Sequence, residues 1–131
     1  MPPLSRAFIR AGLIWLLFGC LVGVLLGAEP GLVPIRLAWI HMLMVGWLTQ
    51  LIFGVAFWMF PRHSTKTPRG DERLGWISFV LLNTGLVCRV VGEPWQASEG
   101  NAAWLLAVSA LLQLGAALAF VINTWPRIKE R

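Results

Sequence analysis

Residues 35–60 read IRLAWIHMLMVGWLTQLIFGVAFWMF, with one charged residue, Arg36, at the outer edge and none inside. A hydrocarbon core roughly 30 Å thick is crossed by about 20 apolar residues in helical form, and this stretch exceeds that length. Three further segments match it, at 7–28, 74–92 and 102–125, so the sequence predicts an all-α integral membrane protein with four spans. Of the 131 residues, 57% are hydrophobic and 13% charged, a balance foreign to soluble domains. The first span is too long for the apolar stretch of a signal peptide, roughly 7–15 residues, and the small-residue cleavage site before Glu29 is poorly formed, so it reads as an anchor.

The net charge of +5 does not indicate a nucleic-acid partner, because the cations sit in short clusters between apolar runs. Of the eleven Lys and Arg residues, all but Arg36 and Arg89 lie at the N-terminus (Arg6, Arg10), between spans two and three (Arg62, Lys66, Arg69, Arg73) or in the tail (Arg127, Lys129, Arg131). The positive-inside rule places these regions in the cytoplasm, which predicts an N-in, C-in protein of the bacterial inner membrane. Trp39, Trp95 and Trp104 then mark the outer interface, and Trp58, Trp76 and Trp125 the inner one. Ala28-Glu29-Pro30-Gly31 and Gly92-Glu93-Pro94 punctuate the chain as short outer loops, which makes consecutive helices antiparallel neighbours in an up-down bundle. Cys20 and Cys88 lie inside apolar runs with no paired spacing and read as small fillers.

Polar residues inside a membrane are few and need a reason. Asn83 and Gln113 each fall roughly 13 Å from the inner boundary with Gln50 close in depth, which suits an interhelical amide cluster fixing register. On the second span Gly46, Gln50, Gly54 and Phe57 share the face expected to pack inside the bundle. At 100° per residue His41 falls opposite, with Ala38, Met44, Val45, Leu48 and Ile52, on a face turned away from that seam. His41 lies roughly 9 Å below the outer boundary and Arg89 roughly 6 Å. A haem, an apolar disc with two propionates, suits an axial histidine below and an arginine above. The plainer reading stands beside it: Arg89 snorkels to the interface and His41 hydrogen-bonds a neighbouring helix.

The pattern His41-x4-Gly46-Trp47-x-Thr49-x4-Gly54, ending in Phe60-Pro61-Arg62, resembles the haem-binding second helix of haem–copper oxidase catalytic subunits. Leu82-Asn83-Thr84-Gly85-Leu86 followed by Arg89-Val-Val-Gly92-Glu93-Pro94 resembles the next helix of that superfamily's divergent relatives. The likeness covers about half the chain. It implies one of the three quasi-equivalent four-helix groups of that subunit standing alone, with His41 as axial ligand of a b-type haem near the outer side; the helical face and depth reading sets Arg89, Met44, Val45 and Ala38 around it. The chain has no Tyr and one other histidine, His63, so it cannot assemble the three-histidine copper site and tyrosine of a complete oxygen reductase. His63 is roughly 33 Å further along in helical terms, and Met44 shares the helix of His41, so neither reaches the iron's other side. Three arrangements stay open: a homo-oligomer, most simply a dimer with two copies of His41 on one haem; a five-coordinate haem open to a diatomic gas; and a trimer with a three-histidine copper or zinc site. Electron transfer or gas binding is the expected role of a haem. The rival is a cofactor-free accessory or assembly subunit of a respiratory complex. A transporter is disfavoured, since the sequence shows no broken helix and no carboxylate expected within the membrane.

Overall fold

The computed structural model describes residues 1–29, 31–61, 71–98 and 100–128. Among the described residues four helices are long and apolar enough to cross a membrane: α1 (Pro3–Ala28), α2 (Val33–Met59), α3 (Glu72–Ala97) and α4 (Ala103–Arg127). Regular structure among the described residues is entirely helical, as expected for an all-α membrane bundle. His63, Lys66, Arg69 and Lys129 lie outside the described residues.

Each helix starts where local chemistry permits. Pro3 opens α1, where a missing N–H costs nothing. The Asp71 side chain accepts from the Arg73 N–H at 2.8 Å and caps α3. Along the bundle the partner numbers of each helix pair run in opposite directions. Gly12 faces Trp47 and Gln50 while Gly23 faces Trp39, and Gly46 faces Leu86 while Gly75 faces Phe57. Ser78 donates to Ala116 O at 2.8 Å and Ser109 donates to Gly85 O at 2.7 Å. Consecutive helices are therefore antiparallel. Those two hydroxyl bonds stitch α3 to α4 through small residues, the usual means of close approach where lipid removes the hydrophobic drive between helices.

The interior is sparse and the exterior apolar. Leu4, Phe8, Phe57, Leu82 and Ala116 form the buried core, with Val45, Phe53, Phe79, Leu81 and Phe120 packed on it. Phe53 stacks on Phe120 with centroids 3.9 Å apart, and Phe8 meets Phe79 edge to face at 5.1 Å. Leu17, Val24 and Leu111 project outward, the pattern required of a surface solvated by acyl chains.

Two features depart from the sequence expectations. The third helix does not stop at Gly92 but runs to Ala97 with Pro94 inside it. Proline at this point removes one hydrogen bond within about one turn of the end, where the helix loses little. The second is a π-helical stretch over Met42–Thr49, wider than an α-turn, with α-helix on either side. The Thr49 hydroxyl donates to Met44 O, five residues back, at 2.8 Å and belongs to that wider winding.

Candidate cofactor site around His41

The π-helical stretch begins one residue after His41 and changes the angular step on which the face assignment rested. Gly46, Gln50, Gly54 and Phe57 are buried as expected for the packed seam. Met44, Leu48 and Ile52 are exposed. Ala38 and Val45, assigned to the same outward face, are not: Ala38 is fully buried and Val45 packs against the core. An even 100° step cannot describe a helix that widens partway along.

His41 sits on the border between these faces, its side chain 28% exposed. It does not turn wholly out of its bundle. The ring's Nδ1–H donates to Leu37 O at 3.0 Å, and the same nitrogen stands 3.1 Å from Glu93 Oε1 on α3. Because a carbonyl can only accept, the Leu37 bond fixes the proton on Nδ1. In the neutral ring that leaves the lone pair on Nε2, which has no hydrogen-bond partner among the described residues. Leu37, Ile40, Met44 and Leu48 give the surface next to the ring an exposed apolar character.

Glu93 is the residue the sequence reading placed elsewhere. Its neighbours Gly92 and Pro94 predict an outer loop, yet it lies inside α3 with 6% of its side chain exposed. Arg89, one turn earlier, brings Nη1 to 3.6 Å from Glu93 Oε1, so the arginine expected to meet a propionate already faces a carboxylate of its own chain. A buried carboxylate costs far more alone than beside a cation, which accounts for this placement. The cluster is incompletely satisfied, since Glu93 Oε2 and Arg89 Nε are buried without hydrogen-bond partners. The i,i+4 spacing of Arg89 and Glu93 was the available sequence signal, and the adjoining Gly and Pro masked it.

The amide cluster forms with one change of membership. Gln50 Nε2 donates to Asn83 Oδ1 at 3.0 Å, Asn83 Nδ2 donates back to Gln50 Oε1 at 3.2 Å, and Trp15 Nε1 donates to Asn83 Oδ1 at 3.2 Å. Gln113 instead donates to Ser109 Oγ, on its own helix, at 3.1 Å. The donor set for a metal is small. No group of three or more His, Cys, Asp and Glu side chains comes together among the described residues, and Cys20 and Cys88 are free thiols.

Residues 5–130 match the family described as NnrS protein. The chain belongs to the NnrS family. The match takes in all four spans, and NnrS proteins are a membrane family linked to haem or metal binding and to the response to nitric oxide. Kinship of this NnrS chain with oxidase catalytic subunits is not shown by that match and rests on the helix patterns alone. Comparison with curated proteins and with solved structures gave no match.

Proposed function

We propose that this NnrS-family protein binds a b-type haem within the bilayer through His41 Nε2, at an interface between copies of the chain, for diatomic gas binding or electron transfer. The carrying observation is the placement of the imidazole: Nδ1 is held by Leu37 O, while Nε2 has no partner among the described residues and the helix around it carries exposed apolar side chains. These residues fit the group, because a metal-ligating histidine normally has its other nitrogen tied to a carbonyl or carboxylate. When bound, a haem supplies an iron centre that exchanges an electron or takes up a small gas.

Within this reading His41 would hold the iron, and Met44 would supply an apolar contact to the haem on the outward face. Ala38 and Val45 support the helix from behind, and Arg89 acts first as counter-ion to Glu93. Among the described residues His41 is the one histidine, so a second ligand would come from another copy or the iron would be left open to a gas. The link between NnrS proteins and nitric oxide favours the open position. The positive-inside distribution supports an N-in, C-in orientation in a bacterial inner membrane, which places the site near the periplasmic face. Accessibility of tags at both termini in intact cells and spheroplasts checks it.

Absorption spectra of the detergent-purified protein, oxidised and reduced, test the haem. Wild type is expected to show a Soret band, His41→Ala to lack it, and Arg89→Ala to retain it at reduced occupancy. Wild type without haem after haem-replete expression overturns the reading. Copper or zinc found instead at one ion per three chains supports the trimeric three-histidine site. A second reading has its own support: the Arg89–Glu93–His41 contacts lie within one chain, as a cofactor-free accessory subunit requires. Co-purification at fixed ratio with larger respiratory subunits, without haem or metal, identifies it.

A further inference from the structure

We infer that Glu93 is a positioning residue that sets the electron-donating strength of His41 as a ligand, an assignment that rests on the haem reading above. The observation is the juxtaposition of two elements remote in sequence: Glu93 Oε1 on α3 lies 3.1 Å from His41 Nδ1 on α2. The Leu37 carbonyl, 3.0 Å from the same nitrogen, is enough to hold the tautomer. The carboxylate is therefore not needed to hold the ring, and its added effect is charge.

A negative group facing Nδ1–H draws that proton toward it and raises electron density at Nε2, which stabilises the more positive ferric iron relative to ferrous. Burial makes the effect large, because the carboxylate is almost wholly removed from solvent and its field is weakly screened. Arg89 Nη1, 3.6 Å from the same oxygen, is the other charged group on it. It holds Glu93 in place and takes up part of its field. The apolar bilayer offers His41 no other anion among the described residues.

The test is an optical redox titration, at one pH, of haem-loaded wild type, Glu93→Gln and Glu93→Ala, each checked for helicity and a monodisperse size-exclusion profile. Loss of an outer-shell partner commonly costs about 10–100-fold in affinity, and here the loss falls mainly on the ferric form. A tenfold preferential loss reads as an upward midpoint shift of about 59 mV for one electron. Glu93→Gln keeps the size and an acceptor oxygen but removes the charge, so its midpoint is expected to rise nearly as far as that of Glu93→Ala. In haem-free protein, the Nδ1–H proton resonance of His41 is expected to move upfield in both variants. An unchanged midpoint and unchanged resonance in a folded, haem-bearing Glu93→Gln protein overturn the role of Glu93 and leave the haem reading intact. Wild type that takes up no haem overturns both. If the glutamine variant does not fold, Glu93→Asp serves in its place: keeping the charge but withdrawing it by one methylene, it is expected to give an intermediate midpoint, and a wild-type value rejects the assignment.

Discussion

Asn83 accepts from Trp15 of α1 and Gln50 of α2 while standing on α3, so one side chain joins three helices. Its own NH2 group is shared between Gln50 Oε1 and Phe79 O, at 3.2 and 2.9 Å. Asn83→Ala leaves the fully buried Gln50 amide without partners, at a cost of about 1–3 kcal/mol, toward the upper end of what hydrogen bonds contribute between membrane helices. Gln113→Ala removes only a bond within α4 and is expected to cost less than about 1 kcal/mol. Unfolding of both variants in mixed micelles, with denaturing detergent as titrant, measures the difference. That Gln50 and Asn83 share a level was readable from the sequence, because rise per residue fixes it. Membership was not, because the rotation of each helix about its axis decides which amide faces which.

The elements show the same division. Gly46 lies in the π-helical stretch of α2 where α1 and α3 both press on it, and a Cβ there would stand 2.8 Å from Trp15 Cβ and 2.9 Å from Leu86 Cδ2. Gly46→Ala gains up to about 1 kcal/mol of helix propensity but forces α1 and α2 apart, at about 1–3 kcal/mol. Net destabilisation in the same micelle titration is therefore expected, together with lower haem occupancy, since α2 also carries His41. A stabilised Gly46→Ala protein would mean that the helices can separate freely at this level. The widened winding was invisible beforehand because it answers to neighbours rather than to its own residues. The continuation of α3 past Gly92 was hidden for a related reason: Gly and Pro favour a stop locally, while the Arg89 and His41 contacts of Glu93 lie in the extra turn.

At the scale of the molecule, the chain is closed at the end that holds the core by its own tail. Arg127, the buried last residue of α4, donates to Phe57 O and Phe60 O at 2.9 and 2.8 Å through Nη2 and to Pro61 O at 3.0 Å through Nε. Its guanidinium also lies over the Phe57 ring, 5.3 Å from the centroid. These are the last carbonyls of α2 and the residues just beyond it, which a helix cannot satisfy by itself, and a cation suits the negative end of the helix dipole. Arg127→Ala is expected to destabilise the bundle by about 3 kcal/mol, read in the same micelle titration. Arg127→Lys should recover only part of that, lacking the forked donors. Read as a topology signal, Arg127 was one cation among several, and its second role depends on α4 ending beside α2.

The sequence by itself determined the membrane class, the number of spans and their antiparallel order, because these follow from apolar length and loop length. Only the tertiary structure decided that Glu93 lies within the bundle against His41, that Ala38 faces inward and that Arg127 closes α2. Those outcomes depend on helix rotation and on charges from distant segments meeting where water cannot solvate them. No periodicity within a single helix carries that information.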